Sequence, residues 1–327
     1  MKFVTSLLNR RAFVALAAAS MLAGAMHSAP ASAADVTIPI IVKDTTSFYW
    51  QIVLAGARKA GKDLGINVPE LGAQAETDVN GQISILENAV AGNPAAIVIA
   101  PTEAKALGKP ATKVKVIGID SSAESKAFTS FLTTDNVQGG RVAADGLAAA
   151  IGAANGGKVE GKVALITALP GAGSLEQRAQ GFKEQLKAKY PGLELVADKY
   201  ADGQATTGLN IATDLITANP DLKGIFASNL IMAQGVGQAI AENNLAGKVA
   251  LIGFDSDEKL IKFLNDGVIS GLVVQDPYRM GYDGIKTALA ASKGEKVEAN
   301  VDTGANLVTK DNMKDPKIDA LLNPKLN

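Results

Sequence analysis

Val116-Ile117-Gly118-Ile119-Asp120-Ser121 and Leu251-Ile252-Gly253-Phe254-Asp255-Ser256 are one phrase written twice. Each is an apolar run carrying a single glycine and ended by aspartate and serine, the pattern of a buried strand running out into a loop. A second match precedes each copy in the same order. Gly81 to Pro101 reads as helix, Asn93-Pro94 and strand, and Gly208 to Ser228 as helix, Asn219-Pro220 and strand. Apolar-Gly-apolar-Asp is a cheap pattern alone, but two echoes in one order imply two similar lobes.

Outward from these phrases, short β-branched runs alternate with helical periodicity. Residues 37–42, 96–100, 114–119, 128–133, 163–168, 193–197, 225–228, 249–254 and 269–275 read as strands. Helices are predicted over 49–64, 80–91, 137–153, 175–189, 207–218, 232–242, 258–265 and 279–291. Such alternation predicts an α/β fold of parallel sheets covered on both faces.

The start of the chain is a targeting segment. Lys2, Arg10 and Arg11 precede an apolar stretch from Ala12 to Ala25, and Ala31-Ser32-Ala33 supplies small residues for a peptidase. At about 14 residues the apolar stretch is too short to span a bilayer. Residues 1–34 are therefore expected to be a signal peptide cut after Ala33 or Ala34, leaving an exported protein not embedded in the membrane. The pair Arg10-Arg11 leaves both the general and the twin-arginine export routes open.

Processing removes His27, the single histidine of the 327 residues, and there is no cysteine. Thiol nucleophiles, Ser-His-Asp triads, Cys-liganded metals and a lipidated N-terminal cysteine are thereby excluded. No metal site and no cofactor is expected. Gly171-Ala172-Gly173 and Gly235-Val236-Gly237 fall short of a dinucleotide-binding loop. A net charge of −1 without a basic stripe argues against nucleic acid as a partner.

Two features point to a small ligand. Phe48, Tyr49 and the sole tryptophan, Trp50, follow the first strand, where open α/β sheets bind ligands. Aromatic faces stack on the C–H faces of sugars; the alternative is a core or staple at a helix start. The duplicated Asp120 and Asp255 end corresponding strands, so facing lobes would bring both carboxylates to one cleft. As alternatives, they cap the following helices or form a glycosidase pair, which needs a separation of about 5 to 9.5 Å.

Several motifs together resemble a known family. They are Lys43 to Trp50 with Ala55-Gly56-Ala57, Ile99-Ala100-Pro101-Thr102, Thr134-Asp135-Asn136 with Gly139-Gly140, and Gln177-Arg178-Ala179-Gln180-Gly181-Phe182. Further on come Phe226-Ala227-Ser228-Asn229, Gly253-Phe254-Asp255 and Gly294-Glu295-Lys296-Val297. From Val36 to about Lys310 the chain resembles the ribose-type periplasmic sugar-binding proteins of ABC importers, type I periplasmic binding proteins.

The resemblance implies two Rossmann-like lobes joined by a three-strand hinge, 35–134 with 276–302 and 135–275 with 303–327. The crossings would fall near Thr134–Asp135, Gln275 and Val301–Thr303, with hinge closure over the ligand. It carries sugar contacts onto Lys43, Ser47, Tyr49, Trp50, Asp120, Arg178, Asn229, Asp255 and Gln275: stacking by Tyr49 and Trp50, an arginine fork from Arg178, and amides at Asn229 and Gln275. A structural ion pair is the other reading of Arg178.

Departures imply a rebuilt pocket. Ser121 stands for a second arginine, Gly203 for an aromatic, Ala100 for an asparagine, Leu230 for an aspartate and Lys43 for a small polar residue. The stretch from Thr102 to Lys113 is short for its helix. The expected ligand is a small sugar, a pentose or a sugar alcohol. Lys43 allows an acidic sugar instead, and a furanose-type sugar bound for sensing or a carboxylate-dependent glycosidase are further alternatives. The expected partner is an ABC permease and the expected state a monomer free in the periplasm. A repressor of this fold would need an N-terminal helix-turn-helix where this chain carries its export signal.

Overall fold

The computed structural model describes residues 36–105, 114–123, 125, 127–324 and 326. The expected signal peptide, and most of the shortened segment ending at Lys113, lie outside the described residues.

Ile40–Val42 (β1) opens the first sheet, with Glu70–Gly72 (β2), Ala96–Ile99 (β3), Lys115–Ile119 (β4), Phe128–Thr133 (β5) and Asn300–Asp302 (β11). The order is β11-β5-β4-β3-β1-β2, parallel throughout. The second sheet contains Gly161–Thr167 (β6), Leu193–Tyr200 (β7), Leu222–Ala227 (β8), Ala250–Phe254 (β9), Gly271–Gln275 (β10) and Ala305–Val308 (β12). Its order is β12-β10-β9-β8-β6-β7. The repeated phrases are β4 and β9, in the same relative place of the two sheets. That equivalence is why the sequence carried an echo at all.

One expectation is corrected here. Both sheets were expected to be parallel, but β12 runs antiparallel to β10. The connectivity requires it. The chain passes between the sheets after β5 at Thr134–Asp135, after β10 at Asp276, and from β11 to β12 through Thr303–Gly304. Strand β10 runs toward the crossings, whereas β12 starts at them and must run away. Strands β2, β11 and β12 and the helix Pro316–Leu322 carried no sequence signal because they are three to seven residues long and mostly half-exposed.

Helices cover both faces of each sheet. Phe48–Leu64 (α1) and Pro277–Ser292 (α8) lie against the first sheet on one side, and Val79–Ala91 (α2) on the other, where Leu86 meets Ile41, Ile97 and Ile99. In the second lobe Asn136–Ala154 (α3) and Gly173–Lys189 (α4) pack Leu147, Ile151, Phe182 and Leu186 over Val163, Leu165 and Phe226. Ala205–Ala218 (α5), Leu230–Glu242 (α6) and Glu258–Asn265 (α7) cover the opposite face. Eight predicted helices and nine predicted strands are present, with ends shifted by at most three residues.

Reciprocal glycines set the closest helix contacts. A Cβ on Gly56 would lie 2.0 Å from the Tyr278 carbonyl oxygen, and one on Gly281 1.9 Å from that of Val53, so α1 and α8 touch backbone to backbone. The second lobe repeats the device. A Cβ on Gly140 would meet the Arg178 carbonyl at 2.0 Å, and one on Gly181 that of Val137 at 1.9 Å. Any side chain there would push the helices apart. The α3–α4 contact thereby fixes the turn of helix carrying Arg178.

Candidate functional site

Lys43 follows β1, Asp120 follows β4, Asp255 follows β9 and Gln275 ends β10. All four sit at carboxyl ends of parallel strands, the edge at which open α/β sheets place ligand groups. Asp120 and Asp255 both adopt left-handed backbone, with φ of 62° and 69°, a region aspartate tolerates better than most residues. The capping alternative is excluded for both. β5 is the next element after Asp120, and α7 is capped by Asp257, whose carboxylate accepts from the Leu260 N–H at 2.7 Å.

Nine of the predicted residues line one cavity: Lys43, Ser47, Tyr49, Trp50, Asp120, Arg178, Asn229, Asp255 and Gln275. Ser121 is the exception. It is wholly buried behind the wall, where its hydroxyl accepts from Lys43 Nζ at 2.6 Å and donates to Asp120 Oδ2 at 2.9 Å. Sequence reasoning missed Glu76, Ser174, Leu175 and Ile231, which also line the cavity, as does Leu230, read in the sequence as a departure within the pocket. Glu76 follows β2, so recognising that short strand would have pointed to it.

Asp120 is the most heavily engaged group. Its Oδ2 pairs with Lys43 Nζ at 2.9 Å and its Oδ1 accepts from the Tyr49 hydroxyl at 2.7 Å. Burial acts to raise its pKa, but the charges of Lys43 and Arg178 and the bonds from Lys43 and Tyr49 overcome it and hold the carboxyl below its usual value. The Tyr49 phenol is pushed well above its usual value, by burial first and by the Asp120 and Asp255 charges next. Lys43 is thus already neutralised by the protein.

Asp255 is in the opposite position. Gln275 Nε2 donates to its Oδ1 at 2.7 Å, and burial raises its pKa despite the opposing Arg178 charge. Among the described residues the buried amide oxygen of Gln275 has no hydrogen-bond partner, an acceptor left for something within the cavity. Asn229 caps α6, its Oδ1 accepting from the Met232 N–H at 3.1 Å. Its amide donors remain.

Arg178 departs from the expected fork. Its Nε donates to Asn136 Oδ1 at 2.8 Å and its Nη1 to the Ser228 carbonyl at 3.0 Å, while the guanidinium carbon stacks 3.6 Å over the Phe254 ring. The head is therefore braced by its own lobe, although its charge still reaches both aspartates. No ion pair of Arg178 is formed among the described residues.

The aromatics serve as wall and core together. Tyr49 and Trp50 meet edge to face with centroids 4.9 Å apart, and Trp50 is 1% exposed. Indole Nε1 donates to Glu76 Oε1 at 2.7 Å. Burial raises the Glu76 pKa, opposed by the Lys43 charge and by this bond. Phe48 lines an outer chamber that shares Ser47, Glu76, Asn229, Leu230 and Ile231 with the inner cavity.

Two α/β lobes meeting at a polar, aromatic-walled cavity define a cleft-type solute-binding protein. Residues 38–296 match the family model described as periplasmic binding protein domain, and the chain belongs to that family. It is 30% identical to the ribose import binding protein RbsB of Escherichia coli (strain K12), over 93% of this chain and 100% of that one. A carbohydrate transporter solute binding protein from Agrobacterium radiobacter, solved in complex with D-arabinose, shares 79% identity. The match has a TM-score of 0.88 and covers 89% of this chain and 100% of the other. An ABC transporter solute binding protein from Agrobacterium vitis with bound D-fucose is 38% identical with a TM-score of 0.82, over 88% of this chain and 100% of that one.

Proposed function

We propose that this protein is the sugar-binding component of an ABC importer and encloses a neutral aldopentose, D-arabinose first among candidates, between its lobes. One observation carries the reading. The cavity gathers residues from both sheets and leaves unspent two groups a polyol uses, the Gln275 amide oxygen and the Asn229 amide donors, beside the Asp255 carboxylate and the braced Arg178 head. The likeness to the protein solved with D-arabinose supports that pentose. The nine predicted residues that line the cavity are the proposed ligand contacts, and Ser121 acts through Lys43 and Asp120.

Charge argues for neutrality. Asp120, Asp255 and Glu76 outnumber Lys43 and Arg178 around the cavity, and Lys43 is spent on Asp120. An acidic sugar would bring a further buried anion with no unpaired lysine to meet it. The same bonds argue for binding without turnover. Both oxygens of Asp120 are held by Lys43, Ser121 and Tyr49, which withdraws Asp120 from a hydrolytic pair with Asp255.

The protein acts as a monomer in the periplasm after loss of residues 1–34, closing about the three crossings and handing its sugar to a membrane permease. Its lobes comprise 35–134 with 276–302 and 135–275 with 303–327. Thermal unfolding with D-arabinose, D-ribose, D-fucose, arabinitol and glucuronate tests the ligand. A sugar at 100 times its dissociation constant adds about 2.7 kcal/mol, so D-arabinose should raise the midpoint and glucuronate should not. A midpoint unmoved by every neutral sugar overturns the reading.

A further inference from the structure

We propose that sugar affinity is set partly by a seam where the lobes touch each other directly, with Gly173 as its deciding residue. This rests on the closure reading above. On one rim of the cleft the first lobe meets the start of α4 directly. The hydroxyls of Ser121 and Ser174 lie 2.8 Å apart and are buried, Gln177 Nε2 donates to Ser122 Oγ at 3.3 Å, and the Ala104 N–H donates to the Gly171 carbonyl at 3.3 Å.

Gly173 lies in this seam and does not line the cavity. A Cβ there would stand 2.8 Å from the Ser122 carbonyl oxygen and 2.7 Å from its Oγ. The three nearest atoms all belong to Ser122, across the cleft. Gly173 is the first residue of a helix and has no left-handed backbone, so its own lobe does not require glycine. Alanine would even favour the helix. The missing side chain is needed only when the lobes are shut, which makes position 173 a sensor of closure and nothing else.

The lobe-to-lobe bonds favour the closed form by the worth of one or two hydrogen bonds, a factor of about 5 to 30 in the closing equilibrium. Apparent affinity falls in proportion to the competent fraction. Gly173→Ala should therefore weaken D-arabinose binding in calorimetry by about tenfold or more. The thermal midpoint of the sugar-free protein should stay within experimental error, and solution scattering at equal sugar should show a more extended particle. Unchanged affinity overturns the proposal.

A second variant covers the case in which Gly173→Ala folds poorly. The chain has no cysteine, so Ser122→Cys with Gly173→Cys introduces one pair, placed within disulfide reach only in the closed form. D-arabinose should speed its oxidation several-fold. Equal rates with and without sugar would mean that the seam does not report closure, and overturn the proposal. Failure of the unmodified protein to bind D-arabinose would instead sink the ligand assignment.

Discussion

Replacing Arg178 with methionine should be the most damaging single change within the second lobe. The side chain is 2% exposed, so solvent cannot take over its partners. Arg178→Met removes two charge-assisted hydrogen bonds, to Asn136 and Ser228, each worth about 1.5 to 3 kcal/mol. The stacking on Phe254 adds about 2 kcal/mol at a desolvated site. Methionine returns part of this by filling the volume, so the net loss is about 3 to 5 kcal/mol, the range for breaking a buried charged contact. At roughly 2 to 4 °C per kcal/mol, the midpoint should fall by about 6 to 20 °C. The loss should also depend on pH. Burial raises the Asp255 pKa and Arg178 opposes the rise, so removing the cation lifts it further. A carboxyl whose folded pKa is raised adds stability below its unfolded pKa and loses it as pH rises through the folded value. The deficit should therefore be smaller at pH 5 than at pH 8, and Asp255→Asn in the same chain should remove that difference. Differential scanning calorimetry of the unmodified protein, Arg178→Met and the double variant at both pH values provides the measurement. A loss under about 1 kcal/mol, or one indifferent to pH and to Asp255→Asn, would refute the reasoning.

Asp255→Asn alone should stabilise the sugar-free protein by about 1 kcal/mol, because it removes a buried charge yet keeps an acceptor for Gln275, while weakening sugar binding; a lower midpoint in thermal unfolding would count against it. Lys43→Met should cost about 3 to 5 kcal/mol by stranding Asp120, and adding Asp120→Asn, which suits the left-handed backbone there, should recover most of that without restoring affinity, as parallel thermal and calorimetric titrations would show. For Gly56→Ala, which forces α1 from α8, the midpoint should drop by several degrees, whereas Gly65→Ala, open in space but left-handed at φ 65°, should cost about 1 kcal/mol; equal midpoints would contradict the packing argument. Trp50 is the only tryptophan, so its fluorescence should change on adding D-arabinose and follow the same saturation curve as calorimetry.

The long elements were legible because burial on both faces leaves unmistakable runs, as at Ile97–Ile99 and Val116–Ile119. Short edge strands were not, since β11 is half-exposed and alternates too briefly to show a period. Family resemblance named nine of the residues that line the cavity, but not what each touches. Lys43 read as a group awaiting an acid, and only the fold brings Asp120 to it from 77 positions away. Arg178 read as a free fork until Asn136, Ser228 and Phe254 were seen to brace it. Glu76 was invisible because a single glutamate in a short loop has no pattern.

The pairing of α1 with α8 has a consequence for how the chain matures. α1 is made almost first and α8 almost last, yet their glycines must touch backbone to backbone, and β11, which finishes the same sheet, is later still. The stretch between the first and second crossings holds five of the six strands of the second lobe and can collapse on itself as soon as it emerges. The first lobe must wait, with the inner face of α1 uncovered, until nearly the whole polypeptide is available. Truncation after Ser292 would thus leave both sheets without their last strand, and a nascent chain halted before Pro277 would present an apolar helix face to whatever chaperone guards it.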